Sequence, residues 1–265
     1  MKKTLSTFTL MAFLVLWNAE TTQAQNKKLP KGKWLTQMGM GMMNVKLVMN
    51  FVDNTIEMDS EMNGEKQKEK SVVLEILASE IKKKKGKMLL KEKGKERYAI
   101  GLFKQLNKDE IVMMPPEPTL DDRKKAEDFY KNAEKSLMEE MQNKLPNQNA
   151  QMDMYEIGFV FRTEKRLKKL NSLPDMPELD KKGVLDLMDA MIEIYKDPKN
   201  AALMGNPMSS LRLMEQLFIK KGYNPFTSMS TMMKSQMKFV QDKEIQKKSA
   251  QMQELMRKHI KQKKY

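Results

Sequence analysis

The hydrophobic period of this chain changes at Pro115, Pro116 and Pro118, and that change restricts the fold to a β-rich half followed by a largely helical one. Upstream, short apolar runs are separated by turn signals at roughly ten-residue spacing, the mark of an antiparallel meander. Val45–Val52 ends at Asp53-Asn54, and Thr55–Met62 alternates and closes at Asn63-Gly64, a strong hairpin signal. Ser71–Ile81 follows as a strand, with helix as its rival because its apolar residues cluster. Lys85-Gly86, Lys93-Gly94 and Asn107-Lys108-Asp109 punctuate further strands around Met88–Leu90, Arg97–Leu102 and Glu110–Met114. The prolines then stop the sheet. Short strands so spaced predict an up-and-down barrel or a sandwich.

Downstream, Ala126, Phe129, Ala133, Leu137, Met141 and Leu145 fall at three- and four-residue spacing, one face of a helix over 119–145 opened by Thr119 and Asp122. Met154–Arg162 reads as one more strand returning to the sheet. Residues 164–182, with Pro174 and Pro177, read as a linker, and 183–265 as a Met-rich, basic helical region. There Val184, Met188, Met191 and Tyr195 form one stripe, Asn206-Pro207 opens a second helix, and Gly222 suits the position just past its end. Thr227 or Ser228 is expected to cap a long final helix running through Met229, Met233 and Met237 to Met256 and Ile260.

The first residues predict a compartment. Lys2 and Lys3 precede an apolar run from Leu5 to Trp17, and Thr22-Gln23-Ala24 offers small residues for cleavage. The run is shorter than the roughly 20 residues that span a bilayer. Residues 1–24 therefore read as a secretory signal, and the protein is expected to be exported to the periplasm, to associate with the outer membrane, or to be extracellular. With no cysteine, the chain has no disulfides and no thiolate metal sites. Its net charge of +14 favours anionic partners, including a membrane surface met through lysines. Aromatic content of only 7% argues against nucleic acid. Lys82-Lys83-Lys84-Lys85-Gly86-Lys87 could touch anionic lipid or polysaccharide, or simply be a solvated strand that protects a sheet edge.

Gly32-Lys33-Trp34, and Arg162 after the apolar run ending at Phe161, resemble the opening and closing strands of the lipocalin-like, calycin-type barrels found among exported bacterial proteins. Arg97–Leu102 followed by Asn107–Val112 is similar to their paired late strands. The resemblance implies an α+β fold over 25–163: an antiparallel lipocalin-like β-barrel with an inserted helix, followed by the helical C-terminal segment. It also implies that Trp34 plugs the barrel base while Arg162 packs across its ring, a cation–π contact.

Catalysis has little to work with. His259 is the only histidine and sits in a basic helix, and no P-loop, dinucleotide fingerprint or nucleophile elbow is present. Paired acids such as Asp121-Asp122 and Glu139-Glu140 fit helix surfaces. The reading is of a non-enzyme without a cofactor. The 28 methionines suit an adaptable apolar surface. The leading function is therefore binding of an apolar or amphipathic small molecule, lipid-like and with an anionic head group held by lysines. Inward-facing Leu47, Met49, Phe51, Ile56, Met58, Tyr98 and Ile100 are expected to line the pocket, covered by Met188, Met191, Met214, Met229 and Met233. Two alternatives stand beside it. Met38, Met40, Met42 and Met43 have a spacing that suits thioether ligation of Cu(I), making copper the alternative cofactor. The helical half could instead take a peptide or protein in the manner of a chaperone.

Overall fold

The structure, a computed structural model, describes residues 29–40, 43–67, 71–144, 153–197, 200 and 207–261. The signal segment 1–24 lies outside them. Nine strands form one sheet: β1 (Gly32–Met40), β2 (Met43–Val52), β3 (Thr55–Met62), β4 (Glu65–Lys66), β5 (Val72–Lys82), β6 (Lys85–Glu92), β7 (Tyr98–Asn107), β8 (Glu110–Met113) and β9 (Phe159–Thr163). All except the two-residue β4 run in order around an eight-stranded antiparallel barrel. β2 pairs with β3 on one side, and β9 pairs with β1 to close the ring.

Alternation explains the interior. Side chains on a strand point to opposite faces with period two, so Met49 and Phe51 enter the lumen from β2, Ile56 from β3, Met88 and Leu90 from β6, and Ile111 and Met113 from β8. Leu74 and Ile76 do the same from β5 until a bulge between Ile76 and Ala78 shifts the phase. That bulge leaves Leu77 exposed and returns Ile81 to the core, which is why the segment's apolar residues look clustered rather than alternating. Each large apolar side chain buried this way contributes about 1.5–3 kcal/mol.

Turn chemistry fixes the hairpins. Asn63 and Gly64 both take positive φ, as a two-residue turn of this hand requires. Between β5 and β6 the turn residues are Lys83 and Lys84, also at positive φ, so the turn precedes the expected Lys85-Gly86. Gly86 instead belongs to β6, where an added Cβ would lie 2.3 Å from the Phe103 ring. At the lysine hairpin β6 is paired on both sides, whereas β5 pairs with β3 only over 72–75, so its half leading into the lysine turn has β6 as its one ladder partner among the described residues.

The helices are α1 (Arg123–Lys131), α2 (Ala133–Lys144), α3 (Glu164–Asn171), α4 (Lys181–Lys196), α5 (Pro207–Lys220), α6 (Pro225–Lys238) and α7 (Lys243–Lys261). The single helix expected over 119–145 is two, α1 and α2, broken at Asn132. Asp122, not Thr119, caps α1 by accepting a 2.7 Å hydrogen bond from the Lys125 N–H. The returning strand is shorter than expected: Met154–Glu156 is a turn of 3₁₀ helix, and β9 starts only at Phe159. Between them Gly158 has φ +133°, and a Cβ there would lie 2.4 Å from the Met113 backbone, so only glycine lets the chain cross β8 so closely.

The stretch read as a linker is partly α3, whose Leu167 and Leu170 pack with Leu35 and Val48 on the outside of the barrel. Gly222 ends α5 as expected, at φ +82°, with the Tyr223 N–H bonding back to the Phe218 carbonyl. The long final helix is two. Asn224, with Pro225 in the first turn, caps α6 ahead of Thr227 and Ser228, and Asp242 caps α7. No described helix is long and apolar enough to cross a membrane.

Candidate functional site

Three places in the fold combine apolar walls with polar groups: the lumen, the seam where β9 meets β1, and the flank of the barrel under α1 and α2. The closed lumen is apolar and able in principle to enclose a small hydrophobic ligand, since an eight-stranded barrel is wide enough for packed side chains or one small molecule. Here Met49, Ile56, Leu74, Met88, Leu90, Ile111, Met113 and Phe161 are all at most 1% exposed and fill it. Ser60, on the same face of β3 as Ile56 and Met58, is buried, and its hydroxyl has no hydrogen-bond partner among the described residues.

At the seam only Trp34 and Leu35 pair with Thr163 and Arg162. Above them the strands part around a small hollow of about 40 Å³ lined by Thr36 and Met38 of β1, Phe159 of β9, and Arg212, Glu215 and Met229 of the helices. Arg162 faces outward there, 2% exposed, because it is out of phase with the inward Phe161. Its guanidinium bonds Glu215 of α5 and Glu110 of β8, and lies 5.6 Å from the centre of the Phe226 ring. The expected stacking of Arg162 on Trp34 therefore does not occur. Trp34 sits inside the barrel, donating its Nε1–H to the Lys31 carbonyl at 3.1 Å. Burial alone would raise the Glu110 pKa, but hydrogen bonds from Arg166 and Asn107 and the nearby guanidinium charges outweigh it and hold the carboxyl below its usual range.

On the flank, α1, α2 and the 3₁₀ turn cover the outer face of β7 and border a half-open cavity of about 310 Å³. Ile100 and Leu102 form its floor, Phe129 and Leu137 its roof, Met154 and Ile157 one wall; Met114, Pro116 and Glu117 of the loop after β8 form its rim. This volume lies at the lower end of the range for small-molecule pockets. The cover is clamped at its edges. Lys85 lies 4.9 Å from the Tyr155 ring centre and 2.8 Å from Asp153, and Lys87 lies 4.8 Å from the Tyr130 ring centre and 3.1 Å from Glu80. Lys104 pairs with Glu156, which also accepts a 2.7 Å bond from Arg212. Burial would raise the Glu156 pKa, but those two cations outweigh it and hold the carboxyl low. Desolvation, with help from Glu80, pushes the Tyr130 phenol up to about 12. Lys85 and Lys87, read from sequence as a solvated or lipid-facing run, are thus engaged within the protein.

Of the residues expected to line a pocket, Leu47, Met49, Phe51, Ile56 and Met58 belong to the lumen. Tyr98 and Ile100 do not: they sit on the outer face of β7, packed with Leu89 against Ala126 of α1, while Ala99 and Gly101 occupy the inner face. Sequence missed this because both faces of β7 are apolar, so period two gives no direction. The methionines expected to cover the barrel chiefly build the helical half. Met191 and Met214 are in its core, with Met229 packed against them, and Met188 packs with Val184 and Ile245. Met233 is 50% exposed, on an open groove with Met237 and Val240 between α6 and α7. Met229 also lines the seam hollow, beside β1 and β9.

Of the copper candidates, Met38 pairs with Val45 and is half-buried at the seam, and Met40 pairs with Met43 across β1 and β2. Met42, and the side chains of Met40, Met43 and His259, lie outside the described residues, so a thioether site stands on the sequence alone. Among the described residues no cluster of three or more His, Cys, Asp or Glu is placed to hold a metal ion. The architecture, an eight-stranded antiparallel barrel with an insert and C-terminal helices, is of the generic calycin-like kind. No family model matches the chain, and no curated protein or solved structure shows significant similarity to it.

Proposed function

We propose that this chain is an exported, non-catalytic binding protein for small apolar or amphipathic molecules. The observation that carries this reading is barrel closure: eight strands enclose a continuous apolar lumen to which Met49, Met58, Met88 and Met113 all contribute. Thioether side chains change rotamer at little cost, so such a lumen can repack around a guest more readily than one built from branched residues. The flank cavity adds apolar space immediately outside the wall. Export is supported by the basic, apolar and small-residue order of residues 1–24.

Native mass spectrometry of the protein, produced in a Gram-negative host with residues 1–24 in place, tests both parts. The expected result is a chain beginning at Gln25 that carries an adduct lost on organic extraction. A bare mass both before and after extraction, with no uptake of added fatty acid or alkylamine, overturns the binding reading. A chain that retains Met1 overturns cleavage and export.

A second reading has one observation in its favour, the α6–α7 groove of about 520 Å³. Met237 and Val240 are 73% and 60% exposed there, beside the exposed lysines 234, 238, 243 and 247. An acidic amphipathic helix suits such a groove. Replacing Met237 and Val240 with Ser removes that binding and leaves small-molecule uptake unchanged.

A further inference from the structure

We infer that the ligand seat is the flank cavity under α1 and α2 rather than the barrel lumen, and that it selects an apolar molecule ending in an amine over one ending in a carboxylate. This rests on the binding reading above for the apolar ligand and moves its seat from the lumen to the flank. Space is the first argument. The lumen is packed by its own side chains, and admitting a guest there means displacing groups such as Phe161 and Ile111 that are fully buried. The flank already holds about 310 Å³ between the outer face of β7 and its helical cover.

Chemistry is the second. Ile100, Leu102, Phe129 and Leu137 offer no polar atom, so the body of the ligand is apolar. Among the described residues that line the cavity Glu117 alone is charged, exposed at the rim and without an ion pair to another described residue. The lysines that reach from β6 and β7 to the insert are already engaged: Lys85 with Asp153, Lys87 with Glu80 and Lys104 with Glu156. In a chain of net charge +14, the described residues that line this apolar cavity thus include a carboxylate and no cation. An ammonium group at the rim gains an ion pair, whereas a carboxylate there meets a like charge.

The test uses the full-length mature protein and the uncharged fluorophore N-phenyl-1-naphthylamine, displaced by dodecylamine or by dodecanoate. Wild type is expected to bind the fluorophore and to release it to dodecylamine at about fivefold lower concentration than to dodecanoate, the range of one exposed ion pair. Ile100→Trp fills the cavity and weakens fluorophore binding by about tenfold or more. Ser60→Val, which alters the lumen, leaves binding unchanged. Glu117→Gln changes an exposed side chain and does not threaten folding, so it serves even where Ile100→Trp does not fold; it abolishes the preference for the amine. Retention of wild-type affinity by folded Ile100→Trp, or its loss in Ser60→Val, places the seat in the lumen and overturns this inference while leaving the binding function standing. A preference for dodecanoate, or an amine preference that survives Glu117→Gln, overturns the ligand class. Failure of wild type to bind fluorophore, amine or acid overturns the binding function itself.

Discussion

The lumen and the flank of this barrel are both apolar, yet one is filled and the other hollow. Lumen side chains are fixed by the ladders of eight strands, whose spacing leaves them no choice but to meet at the axis. The insert is attached differently. Its α1 and 3₁₀ turn are held at their edges by Lys85, Lys87 and Lys104 reaching from β6 and β7 to tyrosines, carboxylates and helix-end carbonyls. Between those contacts the cover packs on the wall in two places, Ala126 of α1 against Leu89 and Tyr98, and Ala133 and Leu137 of α2 against Leu102. The pocket is the space that these two packed patches and the loop after β8 leave between them.

That contrast can be broken at several points, in descending order of effect. Phe161→Ala in the lumen is expected to lower stability by about 3–5 kcal/mol in urea unfolding, whereas Leu137→Ala over the cavity costs less than about 1 kcal/mol because it leaves no new buried void. Equal losses at the two sites would abolish the distinction between filled and hollow. Arg162→Met, which takes its guanidinium partner from Glu215 and leaves Glu110 with Arg166 and Asn107, is expected to cost about 3 kcal/mol. Lys87→Met removes a cation–π contact and an ion pair and costs about 1.5 kcal/mol. Hydrogen exchange should show α1 opening faster in that variant while β6 and β8 remain protected. The double change Lys83→Asn and Lys84→Gly relieves two lysines held at positive φ and is expected to stabilise by about 1 kcal/mol, with ligand uptake unchanged.

Acid sharpens the comparison further. Glu110 and Glu156 have pKa values lowered in the fold from the ordinary 4.5. Their contribution is therefore complete above that value and is lost as pH falls through the depressed folded pKa. Urea midpoints taken from pH 7 downward should fall below about pH 4.5, and Glu156→Gln should flatten the part of that decline that comes from the insert.

Legibility in the sequence followed the same divide. Strands with one apolar face declared their direction, so Leu47, Met49, Phe51, Ile56 and Met58 could be assigned inward from alternation alone. β7 could not be read that way, because α1 covers its outer face and makes Tyr98 and Ile100 as apolar as a core position. Helical stripes showed which methionines would be buried but not against what, which is why Met191 and Met214 belong to a helical core instead of a barrel cover. The breaks at Asn132 and near Asp242 escaped because capping side chains override a continuous apolar stripe. The flank cavity left no signal in one dimension: it depends on how α1, α2 and the loop after β8 come together over the outer face of β7.

The seam carries a consequence for how the molecule comes into being. β1 meets β9 through Trp34–Thr163 and Leu35–Arg162 alone, partners separated by almost the whole length of the barrel and its insert. Contacts this distant in sequence form late, since the intervening chain must be ordered before they can repay its loss of freedom. Until β9 is in place, β1 keeps one edge unpaired while β2 covers the other, which makes the seam the last part of the barrel to close.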